Sequence, residues 1–364
     1  MSFIAALGVD AFPAVFGTLP APAVSPDASP SIATVSGLGK ASPAAVVTTS
    51  QKLALLGGNC VIAWEGNAAV AHSVIAELRG FASKASLSMP IIDACFSQLD
   101  AAVKEEVSFV GWVKEGELFR QFWYRADVAQ GEMFGQMSAA GSGATDFVKG
   151  ASQISGGILN VIGGLPAGLT RAVSSMLSAS SLMARAELAA QGNVTNPFHG
   201  AYEIATYVGD RFAKLDDLTW VFWTAGITGG QIALDGPRAI VKQDYAGDSL
   251  LMRVLQIQGG DGATDPPMVQ EMRQVILPFG QQADFPDAGA ISWPAPEASF
   301  TCHVVLVRSP QGATMVNRIE FSPSRTPRSI RFSSADGHTK FDVAEEFREE
   351  LVQSARDAFV DLLS

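Results

Sequence analysis

SFIAALGVDAFPAVFG, residues 2–17, is an almost unbroken apolar segment that begins directly after Met1. Its two halves, with the following residues, predict strands over 2–9 and 13–19 that are joined near Asp10, a hairpin-like start. Most chains begin with polar, poorly ordered residues, so a strand at this position is unusual. Such a strand would hold its first residue, Ser2, in a rigid place.

The composition is that of a globular protein with a large core. The 364 residues are 48% hydrophobic and 17% charged, and the net charge is −11. An acidic chain of this kind is not expected to use nucleic acid or an anionic membrane as its main partner, because phosphate binding needs clustered Lys and Arg. The three cysteines and four histidines are scattered, so we expect neither a metal site nor a bound cofactor.

The first residues also suggest a secretion signal as an alternative. The stretch FIAALGVDAFPAVFGTLPAPA is apolar and ends in small residues, but no Lys or Arg precedes it and Asp10 interrupts it. A secretion signal needs a positive start and an unbroken apolar core. We therefore expect a cytoplasmic protein, with export after loss of about 23 residues as the alternative.

The segment from residue 51 to 152 combines strand pairs with helices. Two short apolar strands meet at a turn over residues 57–59, and apolar positions three to four residues apart predict a helix over 67–85. The other elements predicted here are a helix over 90–105, a hairpin over 108–125, and a strand, turn and helix over 136–152.

The next segment is predicted to be mainly helical. An Ala-, Ser- and Gly-rich helical region extends to about residue 190, and Asn196 with Pro197 predicts the start of a helix over 196–214. LTWVFWTAG (218–226) predicts a strongly apolar strand. Two packed sheets with helices on both outer faces would give an α+β fold, a four-layer αββα sandwich, over residues 1–245.

Residues 246–364 are predicted to form a C-terminal extension or a small β-rich domain. Strand patterns occur at 300–309, 315–322 and 329–334. The final stretch, 342–363, is amphipathic and predicts a helix that packs on the body of the protein or on a partner.

Ser2 is the residue to which the sequence assigns chemistry. Met before a small residue is the usual substrate for removal of the initiator methionine, which would leave Ser2 with a hydroxyl and a free α-amine. An α-amine titrates near pH 7.7–8.0, so it can take the hydroxyl proton, and one residue would be both nucleophile and general base. No G-x-S-x-G, P-loop or HExxH motif offers another centre.

Four stretches, in order, resemble the proteasome β-subunit and HslV-like family of N-terminal nucleophile (Ntn) hydrolases. They are SFIAALGVDAFPAVFG, KLALLGGNCVIAWEGNAAVAHSVIAELR, SAAGSGATDFVKGA and AYEIATYVGDRFAKLDDLTWVFW. The resemblance implies Lys52 as the active-site lysine and Gly66 as the glycine whose N–H helps to form the oxyanion hole. It also implies Ser142 as a supporting serine and Asp216 or Asp217 as the supporting acid, with Asp217 preferred.

The resemblance further implies a function. A member of this family would be a peptidase or amidase acting on a peptide or protein, would assemble as a ring-like homo-oligomer, and could work with an ATPase partner. Thr18 stands where the family has an acidic residue beside the lysine. This departure favours an alternative, a catalytically inactive scaffold or interaction subunit with the same fold.

Overall fold

The computed structural model describes residues 3–9, 12–20, 51–99, 104–131, 134–152, 160–162, 200–228, 231–258, 268–279, 292–309, 312–335 and 338–363. The described helices are α1 Ala68–Ala82, α2 Met89–Ser97, α3 Ala144–Ser152 and α4 Glu345–Leu363, with a 3₁₀ turn at Lys104–Glu106. The described strands are β1 Phe3–Val9, β2 Phe12–Pro20, β3 Leu53–Leu56, β4 Cys60–Gly66, β5 Val107–Glu115, β6 Leu118–Tyr124, β7 Asp127–Gly131, β8 Gly135–Gly141, β9 Asn160–Ile162, β10 Gly200–Val208, β11 Arg211–Lys214, β12 Leu218–Thr228, β13 Gln231–Ala246, β14 Ser249–Gln258, β15 Met268–Ile276, β16 Phe300–Ser309, β17 Gly312–Phe321, β18 Ile330–Ala335 and β19 His338–Val343.

The predicted hairpin at the start of the chain forms the centre of a six-stranded sheet. Its strand order is β11-β10-β2-β1-β8-β7, and β1 pairs antiparallel with β2 on one side and with β8 on the other. Successive side chains of a strand point to opposite faces. Ile4 and Ala6 therefore pack into one apolar core and Phe3 into another, which explains why this stretch is apolar at nearly every position.

The six-stranded sheet lies between two other sheets. The four-stranded sheet, β3-β4-β5-β6, packs on one face, where Ile4 shares a core with Val61 and Val110. The seven-stranded sheet, β15-β14-β13-β12-β16-β17-β9, packs on the other face, where Phe3 shares a core with Trp220. The start of β1 is thus enclosed by strands on four sides.

Helices cover the two outermost faces of this stack. Helices α1 and α2 pack on the four-stranded sheet through buried side chains such as Ile75 and Phe96. Helix α4 and the β18–β19 hairpin pack on the seven-stranded sheet, with Phe347 and Leu351 in that core. Helix α3 packs on β7 and β8 and contributes Phe147 to the core that contains Phe3. The layers of the described residues are therefore helix, sheet, sheet, sheet, helix.

The predicted four-layer αββα sandwich is wrong, because the described residues are mostly strands. The error begins at 196–214, where a helix was predicted and the chain forms β10 and β11. β10 pairs with β2, and Ile204 lies opposite Phe16. Its Tyr, Ile, Thr and Val residues favour a pleated surface over a helix. Most of the helical region predicted before it lies outside the described residues.

The predicted division at residue 245 falls at the end of β13, next to its hairpin with β14. β13 and β14 are neighbours in the seven-stranded sheet, and β12 in the same sheet pairs in parallel with β16. This sheet therefore contains strands from both sides of the boundary, and the two-domain division stays a prediction. None of the described helices has the length and hydropathy needed to cross a membrane.

Candidate functional site

The start of β1 is held by Thr18 and by β8. The Thr18 hydroxyl is fully buried and accepts a hydrogen bond from the Phe3 N–H at 2.8 Å, and it donates to the Phe3 carbonyl at 3.2 Å. On the other side Phe3 lies opposite Gly141, the last residue of β8. Ser2 itself lies outside the described residues. Thr18 therefore fixes the backbone of β1, a task that needs both a donor and an acceptor.

Lys52 lies against the β1–β2 hairpin and has an acidic partner. A Cβ placed on Gly17 would lie 2.8 Å from the Lys52 Cβ, so only glycine lets the lysine approach β2 this closely. The Lys52 Nζ lies 3.0 Å from the Glu65 Oε2 and 4.1 Å from the centroid of the Trp64 ring. Thr18 stands where the resemblance implies an acid beside the lysine, and in the structure the acid beside Lys52 is Glu65 of β4.

Gly66 ends β4 at the rim of a surface cleft. Its φ of +100° is in the region that favours glycine, and a Cβ there would lie 2.1 Å from the Glu106 carbonyl oxygen. The cleft has a volume of about 470 Å³, and Glu65, Gly66 and Gly141 are among its lining residues. Ser142 follows Gly141 and is exposed.

Three of the predicted site residues therefore approach the start of β1. Lys52 packs against Gly17 of β2, which lies opposite Ile4 of β1. Gly66 and Gly141 line the same cleft, and Gly141 lies opposite Phe3. Ser142 directly follows Gly141. The arrangement places an ammonium, a glycine with positive φ and a hydroxyl at one end of the six-stranded sheet. Their catalytic roles stay predictions.

Asp217 belongs to a different cluster. It is buried at the start of β12, where its carboxylate lies 2.5 Å from the Lys242 Nζ and 2.7 Å from the Arg325 Nε. It also accepts hydrogen bonds from the N–H and hydroxyl of Ser299. Burial by itself raises the pKa of Asp217, but the bonds from Lys242 and Ser299 outweigh it and hold the pKa below its usual value. These partners give Asp217 a role in joining strands of the seven-stranded sheet to their loops.

Two acidic residues of the site were not predicted. Glu65, the partner of Lys52, directly precedes Gly66, and a carboxylate at the end of a buried strand was the available signal. Glu203 is fully buried on β10 and binds the backbone at Lys52. A single Glu among the apolar residues of AYEIATYV was its signal, which the helix prediction hid.

The described residues contain no group of three or more His, Cys, Asp or Glu side chains placed to hold a metal ion.

Comparisons with known proteins do not establish a family. No family model matches the chain, and no curated protein matches it. One similar solved structure is the Anbu (Gly-1) mutant from Hyphomicrobium sp. strain MC1, with 12% identity and a TM-score of 0.37 over 59% of this chain and 86% of that chain. Anbu is a proteasome-like protein. A likeness this distant shows neither a common fold nor a common family, so the predicted assignment to the proteasome β-subunit and HslV-like family is wrong as stated.

Proposed function

We propose that this chain is an amide-bond hydrolase in which Ser2, once Met1 is removed, is the nucleophile and its own α-amine is the general base. The observation that supports the proposal is the approach of Lys52, Gly66 and Ser142 to the start of β1. A β1 that is buried on both faces and hydrogen-bonded to Thr18 supplies the rigid mount that a terminal nucleophile needs.

Each residue has a defined part in the proposed reaction. The Lys52 ammonium lowers the cost of ionising the Ser2 hydroxyl and favours the neutral form of the α-amine. Glu65 and the Trp64 ring hold the ammonium in place. The Gly66 N–H stabilises the developing oxyanion, an interaction worth about 3–4 kcal/mol in other enzymes. Ser142 hydrogen-bonds the amine.

The proposed reaction has two halves. The Ser2 Oγ attacks the amide carbonyl while the α-amine takes the hydroxyl proton, and the protonated amine then gives that proton to the departing nitrogen. An ester between Ser2 and the acyl group remains. Water, deprotonated by the amine, attacks this ester and releases the acid and free Ser2. A peptide or protein substrate and a ring-like homo-oligomer with an ATPase partner belong to the same proposal.

Intact mass and covalent labelling test the proposal together. We expect the purified protein to begin at Ser2 and a peptide vinyl sulfone to form an adduct on Ser2. Ser2→Ala is the matched control, because Met before Ala is also removed, so the variant keeps the free amine and loses only the hydroxyl. A chain that keeps Met1 would overturn the proposal. So would the absence of an adduct under conditions that label a control protease, a result that favours the inactive scaffold.

A further inference from the structure

We infer that Glu203 is a positioning residue that sets the place of the Lys52 ammonium through the backbone of residues 52 and 53. This inference rests on the proposed function, in which Lys52 acts on Ser2. Glu203 lies on β10 in the six-stranded sheet, whereas Lys52 directly precedes β3 in the four-stranded sheet. One buried side chain therefore connects the two layers that meet at the site.

One oxygen of Glu203 binds two consecutive backbone amides. Its Oε2 accepts hydrogen bonds from the N–H groups of Lys52 and Leu53, the second at 3.1 Å. The carbonyl of Lys52 in turn accepts from the Trp64 N–H at 3.1 Å. The Lys52 backbone is thus held on both sides of its Cα, and the Cβ contact with Gly17 limits where the side chain can go.

The negative charge of Glu203 is balanced by Lys214, which pairs with the other carboxylate oxygen. Oε1 lies 2.7 Å from the Lys214 Nζ and 3.4 Å from the Tyr245 hydroxyl. Lys214 also donates to the Gln51 Oε1, and the Gln51 Nε2 donates to the carbonyls of Asp248 and Ile276. A fully buried carboxylate is costly unless it is paired and hydrogen-bonded. The Glu203 carboxylate is both paired with Lys214 and hydrogen-bonded. The same network ties residue 51 to the seven-stranded sheet.

This network explains how the lysine can be placed accurately from a distance. The Gln51 N–H donates to the Leu277 carbonyl and the Lys52 carbonyl accepts from the Trp64 N–H, whereas the N–H groups of residues 52 and 53 both donate to Glu203. Glu203 supplies acceptors that a neighbouring strand does not supply there. A change at Glu203 would move the Lys52 ammonium relative to Ser2, and a displacement of about 1 Å can lower a rate about 100-fold.

The experiment compares four full-length proteins by their rate of labelling with the peptide vinyl sulfone across pH. They are the wild type, Glu203→Gln, the double variant Glu203→Gln with Lys214→Met, and the control Glu320→Gln. Glu320 is also buried and also accepts from two consecutive backbone amides, those of Arg328 and Ser329. It does so in the seven-stranded sheet, so its replacement reports the general effect of weakening such a bond.

We expect Glu203→Gln to be labelled about 100-fold more slowly than the wild type, because the Lys214 ammonium loses its anion and competes with the two backbone amides for the remaining side-chain oxygen. We also expect the midpoint of its pH profile to move to higher pH, because a displaced ammonium no longer lowers the pKa of the Ser2 amine. The double variant carries no unpaired buried charge and keeps an acceptor for the two amides, so its rate should return to within about 10-fold of the wild type. Glu320→Gln should keep both the rate and the midpoint.

A purely structural role would lower stability without moving the pH midpoint. The inference fails if Glu203→Gln keeps the wild-type rate and midpoint, or if Glu320→Gln changes them equally. If Glu203→Gln does not fold, the double variant decides, and a double variant that folds but stays slow with an unchanged midpoint overturns the inference. A wild type that is never labelled overturns the proposed function first, and the inference with it.

Discussion

His303 makes the stability of this protein sensitive to acid. It lies on β16 and is fully buried. Its Nδ1 accepts a hydrogen bond from the Trp223 Nε1–H at 3.2 Å, so the proton is assigned to Nε2, which donates to the Ser329 hydroxyl at 3.0 Å. Burial, with a smaller contribution from Arg318, lowers the pKa of His303 to about 3. The folded protein therefore keeps this ring neutral at pH values where the unfolded chain protonates it.

The size of the effect follows from linkage. The pKa of an unfolded histidine is about 6.5. Below that pH the unfolded state binds one proton more than the folded state, so the free energy of unfolding falls by about 1.4 kcal/mol per pH unit. The contribution is complete above pH 6.5 and is lost progressively down to pH 3. At pH 4.5 the loss is about 2.7 kcal/mol, a large part of the stability of an ordinary domain.

Urea unfolding at several pH values between 4.5 and 7.5, followed by tryptophan fluorescence, measures this loss. His303→Gln replaces the ring by a neutral group that can still donate and accept, so the variant should lose about 1.4 kcal/mol less per pH unit than the wild type over the range 4.5–6.5. His72, which is exposed on α1, gives the matched control His72→Gln, which should keep the wild-type slope. Equal slopes for His303→Gln and the wild type would refute the reasoning.

Three further predictions concern the site and the Asp217 cluster. Glu65→Gln removes the acid partner of Lys52 and should slow labelling of Ser2 by vinyl sulfone about 10-fold, because the ammonium is held less accurately. The expected loss of unfolding free energy is about 1–3 kcal/mol, because Lys52 is buried and keeps its charge. Unchanged labelling would contradict this prediction. Gly66→Ala places a Cβ at a residue with left-handed φ and against the Glu106 backbone. Its loss of unfolding free energy, measured by thermal unfolding, should exceed the about 1–2 kcal/mol expected for Gly116→Ala, which has a left-handed φ but open space around the Cβ. Equal losses for the two variants would argue against the clash. Asp217→Asn leaves Lys242 buried without its nearest anion and should cost about 3–5 kcal/mol in urea unfolding, part of which Lys242→Met in the same chain should restore; a loss below 1 kcal/mol would mean that the cluster contributes little.

Local sequence patterns correctly predicted those strands, turns and helices that depend mainly on their own residues. The hairpin of β1 and β2, the β3–β4 turn and the helix α1 are confirmed. α1 begins after Asn67, whose Oδ1 accepts from the N–H groups of Ala69 and Val70, as a cap should. The strand, turn and helix predicted over 136–152 are confirmed as β8 and α3.

The largest error in the predicted fold is the helix over 196–214, and it arose from two local signals that disagree. The Asn196-Pro197 pair that precedes β10 is a helix signal, while the β-branched and aromatic residues of β10 favour a strand. The pairing with β2 over seven residue positions decided between them. Glu203 lies on β10. Because this segment was predicted as a helix, Glu203 was not recognised as a neighbour of Lys52.

The sequence by itself indicated the two buried strands at Phe3–Val9 and Phe12–Pro20, because an apolar residue at nearly every position of a strand is stable when the strand is covered on both faces. The candidates Lys52, Gly66 and Ser142 came from the resemblance to a known family, and their roles stay predictions. Only the tertiary structure decided which charged side chains lie beside these residues. Glu203 and Lys52 are 151 positions apart, and Asp217 is held by Arg325, 108 positions away. Such partners depend on which strands pair and which sheets stack, and no local pattern of residue types contains that information.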